Sequence, residues 1–449
     1  MSSGNDVFSV WKGRRRARKA LLGAIVFMVF LIAASAVFAS GPDTPGGMST
    51  LVNKLVKKGV LSKDDANAVL AGSKGQNADS NLPGWLKRLT INGDFRLRYE
   101  YIDVEGQPVA PINRGRFRYR LNLADQVNNN FKVVFGLASD GGHSRSANVT
   151  FANNFSGKPV RIDQAYVQYS IPSILTVTGG KAPVPLWTTT QFVWDWDLRP
   201  EGVFAALTPP ASGDVDFFLN TDFFILNQIA NPKETEMPFM VAFQPGADWK
   251  FAENGKLRVA ATYYVFNNLK KNYKGTANLP GSIAPSTIGA TLFPDNNTND
   301  TLDANGNLAY NYNDLHFAAE ADFNKLSDAL PYAAVYGEYI YNPAPSTSNV
   351  GYIAGLRFGD PSVSNSGQWQ VEYNYRRLER NAWIDILPED DFLFGATNVE
   401  GHKASITYGI AKNVSTALTW FNPKQIEPNA PNKTTYTENT VQVDLMLSF

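Results

Sequence analysis

From Leu89 to Phe449 the chain keeps returning to one pattern, apolar and polar residues in alternation. TINGDFRLRYEYI sets Phe95, Leu97, Tyr99 and Tyr101 on one face and Asp94, Arg96, Arg98 and Glu100 on the other. RGRFRYRLNL repeats it, Phe117, Tyr119, Leu121 and Leu123 opposing Arg116, Arg118, Arg120 and Asn122. WQVEYNYR, DLHFAAEADF and the closing VQVDLMLSF follow the same rule, the last placing Val441, Val443, Leu445, Leu447 and Phe449 opposite Gln442, Asp444 and Ser448. A period of two is a strand period, and these strands have two unlike faces. Beyond the extreme N-terminus no apolar run reaches the eighteen or so residues of a spanning helix.

Marking every such run predicts about sixteen strands, starting near residues 89, 114, 130, 160, 173, 202, 213, 237, 256, 314, 331, 349, 367, 401, 413 and 438. The connections carry more information than the strands. Short turn-like links (127–130, Pro172, 209–213, 252–255, 325–330, 361–366, 411–413) alternate with mostly long ones (140–159, 182–201, 268–313, 380–400). An even number of antiparallel strands, short turns at one end and long loops at the other describe a transmembrane β-barrel of the outer-membrane type. A secreted β-sandwich or propeller also has two-faced strands, but a sandwich has no reason to alternate its loop lengths, and no repeat of 40–50 residues is visible. Tyr99, Tyr101, Tyr339, Tyr341, Trp420 and Phe421 lie near strand ends, where interfacial aromatic girdles sit.

The fold expected is therefore all-β: a transmembrane antiparallel β-barrel over 89–449, with short periplasmic turns and long extracellular loops. Two segments precede it. Residues 1–39 read as an export signal, with a basic stretch from Lys12 to Lys19, an apolar stretch from Leu21 to Phe38 and a small-residue cleavage site before Ser40. Residues 40–88 read as a short helical periplasmic segment and linker, with Leu51, Val52, Leu55 and Val56 at helical spacing and Ser62 as an N-cap. Losing the signal removes six of 41 basic and one of 41 acidic residues, leaving 35 against 40. A mildly acidic exported protein has no electrostatic reason to bind nucleic acid.

Several chemistries have no foothold. The chain has no cysteine, which excludes disulfides, thiolate metal sites and iron–sulfur clusters. His143, His316 and His402 are isolated in sequence, and no zinc, calcium, phosphate-loop or nucleophile-elbow pattern occurs, so neither metal nor cofactor nor enzymatic activity is expected. The chemistry of a barrel this size lies in its lumen, where charged walls govern what passes. Arg96, Arg98, Arg116, Arg118 and Arg120 stand on the polar face of adjacent strands, and a packed core would not tolerate them. In a lumen they form a basic wall. The loop after the fifth strand, APVPLWTTTQFVWDWDLRPEG, is rich in Trp and Pro and carries Asp195, Asp197 and Glu201. Its apolar content predicts a loop folded into the channel as a constriction, its carboxylates turned toward the arginines.

Two resemblances add to this. A terminal strand of alternating apolar residues ending in Phe449 resembles the signal that bacterial outer-membrane proteins present to the barrel-insertion machinery. GDFRLRYEY, RGRFRYRLNLADQVNNNFKVVFGLAS, IDQAYVQY, TVTGGK and QFVWDWDLRPEGVFAAL, in that order, resemble the Putative porin family of Gram-negative bacteria, as does the earlier LVNKLVKKGVLSKDDANAVL. The resemblance implies a passive diffusion channel for ions and small hydrophilic solutes in the outer membrane, assembled as a homotrimer. The alternative is a structural barrel that houses or anchors a partner such as an electron-transfer cytochrome.

Overall fold

The computed structural model describes residues 88–449 except 107–109, 143, 152–154, 211–212, 227–236, 273–300, 302, 305–307 and 429–434. The expected export signal and all but the last residue of the helical segment and linker lie outside the described residues, as does His143.

The strands are β1 (Leu89–Glu105), β2 (Ile112–Gln126), β3 (Phe131–Ser139), β4 (Val149–Thr150), β5 (Val160–Ile171), β6 (Leu175–Lys181), β7 (Glu201–Leu207), β8 (Val215–Ile225) and β9 (Phe239–Ala252). They continue as β10 (Gly255–Asn267), β11 (Leu315–Asn324), β12 (Tyr332–Tyr341), β13 (Val350–Gly359), β14 (Trp369–Leu378), β15 (Val399–Ala411), β16 (Val414–Gln425) and β17 (Thr437–Ser448). β4 is a two-residue strip that pairs with β2 from inside the β3–β5 connection; the other sixteen form the wall. Every expected strand is present and starts within two residues of its expected position.

Each wall strand pairs antiparallel with the next, and β1 pairs with β17 from Asp94↔Ser448 to Glu105↔Thr437, so the sheet closes on itself. Closure satisfies every strand edge, which is the condition for backbone to sit in lipid. Phe449 completes the seam: its N–H donates to the Gly93 carbonyl (3.1 Å), and the Gly93 N–H donates to the Phe449 carbonyl (2.9 Å). Its ring lies within 2.7 Å of where a Cβ on residue 93 would stand, so glycine there makes room for it. At the other extreme of connection length, β15 and β16 turn on Lys412 and Asn413, the asparagine taking the left-handed φ of +60° that this residue tolerates.

Alternation sorts the side chains as lipid and lumen require. Tyr119, Phe217, Val335 and Ile406 are exposed on the outside, while Gln442, Asp444, Asn374 and Asn220 are buried on the inside. Val443 faces outward yet is covered, because Tyr99 and Leu418 flank it in register. Phe421 departs from its expected place in the aromatic girdle. One residue on from outward Trp420, it points into the barrel and packs on Phe392 at 6.4 Å between ring centroids.

The interior is not uniformly wet. Phe192, Val193 and Trp194 from the 182–200 connection meet Trp383, Ile384 and Leu387 from the 379–398 connection, over an inner wall of Phe224, Met240, Tyr264, Ile340 and Leu378. Two long loops thus fold inward and share one dry core against the β7–β14 side. A cluster of arginines and carboxylates lies on the opposite side, along β1, β2 and β17.

Candidate functional site: the charged interior wall and its inward loops

The register of the first hairpin poses the electrostatic problem. It sets Arg96 opposite Arg118 and Arg98 opposite Arg116, with Asp94–Arg120 below and Glu100–Arg114 above. Like charges directly across a ladder repel, so compensation must come from elsewhere in the chain. Neighbouring strands supply part of it. Arg98 is held by Asp444 of β17 through two parallel hydrogen bonds of 2.8 and 2.9 Å. Glu100 accepts from Arg114 at 2.7 Å and from Arg116 at 3.3 Å, and Asp94 lies 2.7 Å from Arg118.

The inward loops supply the rest. Asp197 takes a close ion pair with Arg120 and lies 3.8 Å from Arg118. Those guanidinium groups hold its carboxyl below the usual carboxylate range despite its burial. Asp391 of the second loop meets Arg98 at 2.8 Å and is likewise held low. Glu389 bridges Arg376 (2.7 Å) and Lys403 (2.5 Å) on β14 and β15.

The 182–200 loop is fixed along its whole course. Gln244 of β9 receives the Trp187 N–H and donates to the Trp187 carbonyl, both at 2.9 Å. On β12, Glu338 accepts from the N–H groups of Thr189 (2.8 Å) and Thr190 (2.9 Å) and from the Thr189 hydroxyl (2.6 Å) with one oxygen, and meets His316 at 2.8 Å with the other. Arg357 of β13 donates to the Thr189 carbonyl at 2.5 Å. Farther on, Arg199 reaches Asp163 of β5 at 3.1 Å. The loop is therefore a crossbar between strands on opposite sides of the barrel.

Asp195 sits at the joint of the two loops. Its carboxylate accepts the Asp197 N–H (2.7 Å) and the Asp390 N–H (2.9 Å), while its own N–H donates to the Leu387 carbonyl (2.7 Å). Burial, and then the nearby Asp390 and Asp197, push its carboxyl well up. Burial and adjacent Asp391 push Asp390 up to about 7.

Against the sequence expectations, the arginines Arg96, Arg98, Arg116, Arg118 and Arg120 share one interior wall, and Asp197 lies against two of them. Asp195 is drawn into the loop joint. Glu201 is the first residue of β7, exposed and 3.3 Å from Lys181 of β6. Alternation alone does not reveal Asp391, Asp444, Glu100 and Asp94 as partners of the arginines, Glu338 as the anchor, or the 379–398 loop as a second inward segment. One signal for that loop was present: NAWIDILPEDDFLFG has the Trp-, Ile- and Leu-rich character that marked the first loop. His316 lies buried beside Glu338, and His402 Nδ1 lies 2.8 Å from the Tyr373 hydroxyl on the outer face.

In structure the chain resembles porins of Rhodopseudomonas blastica. One carrying five substitutions and one described as a triple mutant each align at 13% identity, over 80% of this chain and 100% of theirs, with a TM-score of 0.42. No curated protein matches it in sequence. Residues 108–449 match the family described as Putative porin. With that match spanning most of the closed barrel, the chain belongs to the Putative porin family and is a porin of the bacterial outer membrane, its strands forming a channel with an apolar outer face in lipid.

Proposed function

We propose that this porin passes ions and small hydrophilic solutes by passive diffusion through a charged constriction. In this reading the constriction is bordered by the arginine wall of β1 and β2 together with the turn of the 182–200 loop whose Asp197 is lodged against that wall. The carrying observation is the lodging of Asp197, on a loop folded into the barrel, against Arg118 and Arg120 of the wall. A field across a narrow passage selects by charge without a binding step. Because the 182–200 and 379–398 loops occupy much of the interior, a barrel that sheathes a folded partner such as a cytochrome fits the molecule less well. Signal residues 1–39, the periplasmic segment 40–88, a homotrimeric assembly and delivery through the strand ending at Phe449 complete the proposal.

The test is the reversal potential in planar bilayers under a salt gradient. Asp197→Asn removes a negative charge from the wall and is expected to shift permeability toward anions severalfold. Glu201→Gln, which changes a carboxylate paired with Lys181 at the start of β7, is expected to leave it unchanged. Equal shifts from both, or none from Asp197→Asn, would remove Asp197 from the constriction.

A further inference from the structure

Trp196 is the residue of the inward loop that packing does not explain. Its neighbour Trp194 is buried in the dry core, hydrogen-bonded to the Tyr264 hydroxyl at 3.1 Å, whereas Trp196 is 56% exposed. It does not owe this to a loose backbone. The Asp195 carbonyl accepts the Leu198 N–H (3.2 Å) and the Asp195 side chain accepts the Asp197 N–H, making a tight turn with Trp196 at its tip. The Trp196 N–H is taken by Gln191 Oε1 at 2.9 Å, and its carbonyl accepts from Arg199 at 2.6 Å. The turn so held leaves the Trp196 indole exposed at its tip. The next residue is Asp197, which lies 3.8 Å from Arg118, the cross-strand partner of Arg96.

Arg96 is the other unspent group. Among the described residues it is the member of the basic wall with no carboxylate within salt-bridge distance; its one hydrogen-bond partner is Asn148 Oδ1, at 2.6 Å, and its Nε–H has none. A guanidinium that meets no carboxylate, cross-strand from the Arg118 that Asp197 approaches, together with the exposed indole of the residue before Asp197, matches a ligand with a carboxylate at one end and a flat π-face at the other. Arginine takes carboxylates through its donor fork, and tryptophan stacks on planar rings.

We propose that the lumen carries a docking step for aromatic carboxylates, with Trp196 as the stacking platform and Arg96 as the carboxylate receptor. This rests on the diffusion-channel reading and adds a substrate class to it. A ring stacked at the tip of the crossbar with its charge toward the arginines enters the constriction already oriented.

The experiment uses the mature full-length protein in planar bilayers, carrying sodium chloride current, with sodium benzoate, cyclohexanecarboxylate or acetate added. Benzoate is expected to reduce the current at a concentration several times lower than cyclohexanecarboxylate, which matches its charge and size but not its planarity. Trp196→Ala is expected to raise the half-blocking concentration for benzoate about tenfold, the scale of one aromatic stacking contact, and to leave the acetate response unchanged. Arg96→Gln is expected to weaken both ring acids, and Arg96→Lys to restore part of the effect. Isothermal titration of benzoate into the detergent-solubilised protein reads the same platform without conduction. Equal block by the two ring acids, or benzoate block and binding indifferent to Trp196→Ala, would overturn the proposal while leaving the channel in place. Benzoate binding that depends on Trp196, in a protein that passes no chloride, would instead overturn the channel and keep the platform.

Discussion

A buried carboxyl held by two backbone N–H groups works differently from one facing an arginine, and the interior contains both kinds. Asp197 and Asp391 are held below the usual carboxylate range by guanidinium groups. Asp390, buried and beside Asp391, is pushed up to about 7, and it faces Asp195, Asp197, Asp391, Arg116 and Arg145. A carboxyl raised in the folded state binds its proton more tightly there than in the unfolded chain, so its contribution to stability is lost as pH rises through about 7 and regained as pH falls. The joint between the two loops should therefore be firmer at pH 6 than at pH 8. Single-channel recordings are expected to show quieter current on the acidic side of that window, and Asp390→Asn is expected to flatten the dependence. Unaltered noise across the window in the native protein would mean that Asp390 does not titrate at the joint. Asp195 is a reminder that a charged residue in a lumenal loop need not face the passage: its neighbour in sequence meets the arginines, while it ties one loop to the other.

At the scale of elements, what the sequence makes plain and what it hides divide cleanly. The strands announce themselves because lipid and water impose opposite demands on alternate residues, and the sixteen starts follow from that alone. Phe421 lies near a strand end but is one residue out of phase with outward Trp420, so parity and not position decides that it points inward. The crossbar was legible as an inward loop from its Trp and Pro content, but its anchors were not. Glu338 and Thr189 are 149 residues apart, and before folding Glu338 is one more polar residue on a lumen face. The two-residue β4 was invisible because a ladder of that length has no period to detect. Replacing Glu338 with alanine orphans the N–H groups of Thr189 and Thr190 and strips His316 of its partner, at about 1–3 kcal/mol for each buried group left unmade. Since these bonds hold a loop and not the wall, the variant is expected to keep its barrel, judged by heat-modifiable migration on gels, while its conductance rises. A barrel that fails to form would place Glu338 in the stability of the wall itself.

For the whole molecule, facing is the property that can be tested with the fewest assumptions. Tyr119 and Arg118 are neighbours in β2 with opposite destinations, lipid and lumen. Tyr119→Arg is expected to cost about 2–4 kcal/mol if its level is near the bilayer midplane, read from reversible unfolding in lipid vesicles. Arg118→Ser is expected to insert normally and to shift permeability toward cations, leaving Asp94 and Asp197 to Arg120. Similar losses of stability in both would mean that the two faces are not distinguished as the alternation requires. The seam between β1 and β17 carries a consequence for how such a molecule is made. The first hairpin emerges with arginines stacked against arginines, and part of their relief, Asp444, lies on the last strand. A half-built barrel thus lacks, at its open edge, the carboxylate that β17 brings to Arg98 beside Asp391 of the second inward loop. Completion is electrostatically self-announcing: the chain carries, in Arg98 and Asp444, a record of whether its two ends have met.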